Sequence, residues 1–280
     1  MKVLLIIIIA LLITIVSLMV WKNNNTININ KLEVSHPQSL VQGSVVVVGT
    51  ARNIENYVLL SVQKMIDIGS LFEKYHIIIS ESNSSDNTKL LLKKMSLKFP
   101  EIITTYCLND NSESRTVRIS NARNVILDSI KDLDYIPDYY ISMDMDDRSI
   151  IDYKSILTCF DENSPRDWIM FGGNNNGDYY DLWALRTMDD WQREDCWRAY
   201  NYDNTYELKY RSVKDFVKVN SCFNGIAIYK YKYISDCRYD GEYDPDITIR
   251  DICEHVPFNM CVKSNANHLN MYINPYMLVG

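Results

Sequence analysis

The first apolar run of the chain is its longest. Val3–Trp21, "VLLIIIIALLITIVSLMVW", carries only Thr14 and Ser17 as polar interruptions and no charge. As a helix it would be roughly 28 Å long, about the hydrocarbon thickness of a bilayer. Asn23–Gln42 is polar and asparagine-rich, with Pro37 near its end and Gly43 after it, and reads as a stem. The rhythm then changes. Ser44–Gly49, "SVVVVG", is a β-branched run of the kind found in a strand buried on both faces. Ile54, Tyr57, Val58, Val62, Met65 and Ile66 recur at helical spacing, so Ile54–Ile68 is predicted as a helix. His76–Ser80 repeats the buried-strand pattern, Lys89–Phe99 the helical one, Ile102–Leu108 a strand, Ser120–Ile130 a helix and Tyr139–Met143 a strand.

Strands alternating with helices in this way imply right-handed βαβ units and a mostly parallel, Rossmann-like sheet, so the fold class expected is α/β. Ligands bind such sheets outside the carboxyl ends of the strands. Three polar loops fall there: "TARN" after the first strand, "ESNSSDNT" after the second and "DMDD" after the fourth. Beyond Asp152 the pattern loosens. Trp168–Phe171 and Gly225–Tyr229 are strand-like, Asp181–Arg186 is ambiguous, and Asn201–Tyr210 is polar and tyrosine-rich. No internal repeat and no second apolar core stand out. The division expected is an anchor at 1–22, a stem at 23–42 and one globular domain at 43–280.

Composition changes this picture in three places. A net charge of −7 argues against a basic nucleic-acid surface, so no nucleic-acid partner is expected. Twenty tyrosines and five tryptophans suit rings that stack on sugars or bases, as well as ordinary core filling. Seven cysteines include no CxxC pair, which removes zinc-ribbon and thioredoxin-like readings, and the odd count leaves at least one thiol unpaired. The apolar run is longer than a signal-peptide core, and "SLMVWKNNN" offers no small-residue cleavage site, so an uncleaved anchor at residues 3–21 is expected. Lys2 and Lys22 nearly balance the positive-inside rule. A single-pass protein with its domain on the lumenal side is the orientation favoured.

The candidate chemistry sits in the strand-end loops. Glu81, Asn83 and Asp86 offer acceptors for a base and a ribose, or an Asx-type turn that caps the next helix. In "RISNARN", Ser120, Arg123, Asn124 and Leu127 share a helix face. A buried Arg123 needs an anionic partner, either a diphosphate or an internal carboxylate; Arg118 and Arg52 pose the same choice. Asp144 and Asp146, two apart at a strand end, would converge on a hard cation, Mn²⁺ or Mg²⁺, and Asp147 is the alternative to Asp144. Such a cation would bridge diphosphate oxygens. Of the four histidines, His255 and His268 are the candidates for a third ligand, and a structural hydrogen-bonding role is the alternative. Glu254 would act as a general base on an acceptor hydroxyl, or position that acceptor.

"VVVVGTARN", "ESNSSDNT", "RISNARN", "YYISMDMDD", "YYDLWALR", "NSCFNGIAIYK" and "CEHVPFN" occur in that order. Together they resemble the GT-A type nucleotide-sugar glycosyltransferases, closest to the fungal capsule α-1,3-mannosyltransferase-like group and its relatives in large viruses and algae. The resemblance covers Gly43 to Pro275. It implies metal-dependent transfer of a sugar from a GDP- or UDP-sugar to a glycan or protein acceptor by a membrane-anchored domain. Thr50, Ala51, Arg52 and Asn53, with Glu81, Asn83 and Asp86, would hold the nucleoside. Arg118 and Arg123, with Asn124 beside them, would face the diphosphate. Asp144 and Asp146 would be the DxD pair, "YYDLWALR" and "SCFNG" would shape the sugar and acceptor side, and His255 would join the metal, with His268 in reserve. A retaining reaction needs no enzymic base; an inverting one would give that duty to Glu254. Two rivals are a sugar-phosphate nucleotidyltransferase, whose glycine-rich loop is missing from "VGTARNIEN", and a membrane protein that binds carbohydrate or nucleotide without turnover.

Overall fold

In a computed structural model of the chain, residues 28–34, 37–146, 152–175, 179–188, 213–242 and 252–279 are described. The chain divides into two compact units, Met1–Leu32 and Glu33–Gly280. Of the first, the described part holds one 3₁₀ turn, Ile29–Lys31. The expected anchor at 3–21 lies outside the described residues; among those described, no helix is long and apolar enough to cross a membrane.

The second unit is built on one nine-stranded sheet, counted over the described residues, in the order β3-β2-β1-β4-β8-β5-β9-β7-β6. Its first half follows the expected alternation: β1 (Val41–Ala51), α1 (Val58–Gly69), β2 (Phe72–Ser82), α2 (Thr88–Lys98), β3 (Ile103–Leu108), α3 (Arg115–Ser129) and β4 (Tyr139–Asp144). β3, β2, β1 and β4 are parallel throughout, with Val47 of β1 in register with Ile77 of β2 and Ile141 of β4. β1 leads to β2 and β3 on one side and meets β4 on the other. The gap between the carboxyl ends of β1 and β4 is therefore the topological switch point, where ligands of such sheets bind.

The second half is mixed. β8 (Ile226–Lys230) runs antiparallel to both β4 and β5 (Trp168–Asn175). β9 (Asn270–Val279) is parallel to β5, and β7 (Val217–Ser221) and the two-residue β6 (Arg186–Thr187) follow antiparallel. Among the described residues, four strand pairings are parallel and four antiparallel. Seven of these nine strands run in one direction, so the sheet is mostly parallel with a mixed second half: β8 runs against β4 and β5, and β7 against β9 and β6. The ambiguous stretch Asp181–Arg186 holds a turn at 182–184 and enters β6 at Arg186.

One face of the sheet packs Val46, Val48, Ile78, Tyr140 and Tyr229 against Ile126 and Leu127 of α3 and Phe258 and Val262 of α4 (His255–Asn265). Right-handed crossovers put α1 and α2 on the other face. Two helix starts differ from the apolar spacing. α1 begins at Val58, because Asn53 adopts a positive φ of 54° and residues 54–57 form a turn. α3 begins at Arg115, because Ser114 caps it by accepting from the Val117 N–H.

Candidate active site at the switch point

The strand-end turn "DMD" is anchored by its middle residue. Met145 is buried, its carbonyl accepts from Ser61 Oγ, and it lies so close to Gly49 that a β-carbon there would stand 2.6 Å from its sulfur. The turn is therefore pinned to β1 and α1 through an apolar side chain, with Asp144 and Asp146 on either side of it. Asp144 is also held by its own N–H, which donates to Gly225 O across the start of β8.

Arg123 of α3 is the hub of this edge. It is 2% exposed; its Nε donates to Glu254 Oε1 at 3.2 Å, one Nη to Ser142 Oγ at 2.6 Å, and the other lies 3.5 Å from Asp144 Oδ1. Phe223 and Tyr239 lie 5.2 and 5.4 Å from its guanidinium carbon. The charge it meets exceeds its own. Burial of its inner face, together with the charges of Asp146, Asp181 and Glu254, pushes the Asp144 carboxyl up to about 7 against the pull of Arg123. The Asp144 side chain keeps 40% of its surface open. Burial likewise raises Asp181, against hydrogen bonds from the Asn224 and Ala184 N–H groups.

His255 opens α4 beside Glu254, with Nε2 3.7 Å from Glu254 Oε1. Its ring stacks on Phe223 at 3.7 Å and meets Tyr239 edge-on. Burial, with Arg123 nearby, pushes the imidazole well below its ordinary value, and neither ring nitrogen has a hydrogen-bond partner. A neutral, unpartnered imidazole beside carboxylates is suitable donor chemistry for a divalent cation. Mg²⁺-type ions are usually held by one or two carboxylates together with substrate phosphates. The carboxylate excess around Asp144 fits that pattern. Among the described residues no three His, Cys, Asp or Glu side chains are already gathered as a ligand set, and Asp147 lies outside them. His268 is exposed ahead of β9, at the opposite end of the sheet from Asp144.

The two other loops are tied to each other. Asn53 N donates to Ser84 Oγ and its Oδ1 accepts from Ser85 N. Ile54 N donates to Thr88 Oγ1. Asp86 accepts from Glu55 N and Thr88 N, an Asx-type cap; burial opposes its ionisation, but these bonds outweigh it and hold the carboxyl below the usual range. Asn83, at φ 52°, donates to Asp110 O. Glu81 is nearly buried: Oε1 accepts from Ser84 N, and Oε2 has no hydrogen-bond partner. Thr50 sits in register with Asp144, and Ala51 with Glu81, while Arg52 is exposed. Arg118 donates to the carbonyls of Ser112 and Glu113, and Asn124 clamps Tyr239 through both its N–H and its carbonyl.

The structure therefore brings Arg123, Asp144, Glu254 and His255 together, with Asp146 at the adjoining turn. Glu81 stands two strands away, and Arg118 and Asn124 are occupied with main-chain groups. Ser142, Asp181, Phe223, Asn224 and Tyr239 join the site without having been named individually, although "YYDLWALR" holds Asp181 and "SCFNG" holds Phe223 and Asn224, stretches that the resemblance assigned to the sugar and acceptor side. Apart from the resemblance, "NG" at Asn224–Gly225, a turn dipeptide ahead of a strand, is a local signal that marks one of them.

No family model matches the chain, and no curated protein gives a significant match. Solved structures do. The mannosyltransferase PcManGT from Pyrobaculum calidifontis, in complex with GDP-Man and Mn²⁺, superposes with a TM-score of 0.53 at 10% identity, over 94% of this chain and 63% of that one. The chain has the GT-A fold. S. aureus TarS 1–349 with UDP-GlcNAc matches over 84% of this chain and 57% of that one, at 14% identity and a TM-score of 0.47. Glucosyl-3-phosphoglycerate synthase from Mycobacterium tuberculosis, with Mn²⁺, UDP and phosphoglyceric acid, matches over 88% and 72%, at 10% identity and a TM-score of 0.47. The chain spans less than two thirds of the length of the first two.

Proposed function

We propose that the protein is a metal-dependent glycosyltransferase that moves a sugar from a GDP- or UDP-sugar to a glycan or glycoprotein acceptor. The observation that carries this reading is the carboxylate excess at the switch point, centred on Asp144 and balanced within the chain only in part by Arg123. Asp144, Asp146 or Asp147, and His255 would hold Mn²⁺ or Mg²⁺. When bound, the cation would neutralise the diphosphate and the charge that develops on it as it leaves. Glu81 would accept from the base. Arg123 keeps Asp144 and Glu254 in place from below, and the buried rings of Phe223 and Tyr239 keep water from that ion pair. Glu254 is engaged by Arg123, so proton abstraction by it would work against an ion pair.

The same reading places residues 3–21 in a membrane and the domain in a lumenal space. The Cys237–Cys261 disulfide supports an oxidising compartment. The resemblance to the capsule mannosyltransferase-like group and the GDP-Man of PcManGT make a GDP-hexose the first donor to test.

The full-length protein should show thermal stabilisation by GDP or UDP that needs Mn²⁺. Donor-sugar hydrolysis should disappear in Asp146→Ala while the unfolding transition persists. Absence of a Mn²⁺-dependent shift with either nucleotide would sink the transferase reading. A shift without hydrolysis of any donor would leave a binding protein in its place.

A further inference from the structure

We propose that Asp181 and Asn224 form the corner of the site that reads one hydroxyl of the transferred sugar. This rests on the transferase reading and extends it from reaction class to specificity.

The turn before β8 is unusual in its backbone and in its polar accounting. Asn224 has φ 57° and Gly225 φ 83°, successive left-handed residues, of which the first is a side-chain-bearing residue 2% exposed. Asparagine tolerates that region better than most residues, yet a buried one there needs its surroundings to hold it. They do so on both sides. Gly173 N donates to Phe223 O, and Asp144 N donates to Gly225 O, which sets the turn directly against the DxD strand.

Asp181 and Asn224 then grip each other. The Asn224 N–H donates to Asp181 Oδ2 at 3.0 Å, the Asp181 N–H to Asn224 Oδ1 at 3.2 Å, and the Ala184 N–H to Asp181 Oδ1 at 3.2 Å. The Asn224 amide is thereby oriented, because its oxygen must face the Asp181 N–H. Its Nδ2, with two N–H donors, is buried and has no partner. A buried donor without an acceptor is costly and uncommon in native structures.

A single ligand group supplies the partner that Nδ2 lacks. A hydroxyl accepts from Asn224 Nδ2 and donates to the Asp181 carboxylate. A phosphate oxygen would satisfy the amide but would be repelled by Asp181, Asp144 and Glu254, whose charges act on one another. A site built to pair with a hydroxyl rejects the analogue that lacks it, since its polar groups are then stranded.

The test uses the full-length chain with Mn²⁺ and calorimetric titration of GDP, UDP, GDP-mannose, UDP-N-acetylglucosamine and singly deoxygenated analogues of the two sugars. The expected result is that the preferred nucleotide sugar binds more tightly than its nucleotide, and that one deoxy analogue loses about tenfold, the worth of one good hydrogen bond. In Asn224→Gly, which tolerates φ 57°, and in Asp181→Asn, parent and analogue should bind alike while nucleotide affinity is kept. Discrimination retained in both variants, no discrimination in the unsubstituted chain, or nucleotide affinity lost along with the discrimination would each overturn the assignment alone. No nucleotide binding by the unsubstituted chain would overturn the transferase reading and this assignment together.

Discussion

At the two ends of one sheet a cation meets a carboxylate, and the settings differ in almost every physical respect. At the amino ends of the parallel strands, Lys74 of β2 pairs with Asp134 at 2.9 Å, with the side chains 49% and 81% exposed. Lys74 also lies over the Tyr135 ring at 4.0 Å. At the carboxyl ends, Arg123 pairs with Glu254 at 3.2 Å, with the side chains 3% and 6% exposed. The first pair is solvated, its members held chiefly by local chain geometry. The second is cut off from water, so each charge depends on the other, and Arg123 has further carboxylates to balance. Similar contact distances thus describe a dispensable surface pair and a charge balance on which the site depends.

The sharpest way to break that contrast is to remove Arg123. Arg123→Met should strand Glu254 in a dry environment, leave Asp144 without its internal cation, and cost about 3–5 kcal/mol, read as a lower urea midpoint at unchanged slope. A loss no larger than that of a surface substitution would mean that water reaches the ion pair.

A smaller effect is expected beside the Lys74 pair. His76 Nε2 lies 2.8 Å from Thr104 Oγ1. Burial lowers the imidazole below its ordinary value; Lys74 acts in the same direction, while the Glu101 carbonyl and Asp134 oppose it. With a folded value below the unfolded one, the unfolded chain takes up the proton first. The stabilisation is therefore complete above the unfolded value near 6.5 and declines as pH falls below it. His76→Gln should remove that part of the acid-side slope, measured by thermal unfolding at stepped pH. A slope unchanged by the substitution would mean that His76 is not its source.

The smallest effect should come from Lys74→Ala, which is expected to leave the thermal midpoint where it is and to show no dependence on salt. A midpoint lowered as far as in Arg123→Met would erase the distinction between the two ends.

What could be read along the chain follows the same division. The β1–β4 half is written in runs such as "SVVVVG" and "HIIIS", where every position but the half-buried Ser44 is buried and local pattern alone is decisive. The strand-end carboxylates were visible because a parallel sheet makes the ends of its strands meaningful. The second half was far less legible. β9, "NMYINPYMLV", carries asparagines and a proline, and its place in the sheet comes from pairing with β5, distant in sequence. The start of α4 was marked by "CEHVPFN" as a motif and not as a helix. For Asp86, two readings were open from the loop alone; the Asx-type bond from Thr88 N is local, whereas the tie from Glu55 N comes from a neighbouring loop.

The sequence by itself determined the alternation of buried strands and helices, the position of the polar loops at strand ends, and the spacing of Asp144 and Asp146. Each of these is a local pattern, set by burial period and chain direction. Only the tertiary structure decided that Arg123 faces Glu254, Ser142 and Asp144, that His255 stacks on Phe223 with its nitrogens unpartnered, and that Asp181 locks Asn224 against the DxD strand. These contacts join segments up to 131 residues apart. Desolvation and charge balance act through space, and no run of neighbouring residues records them.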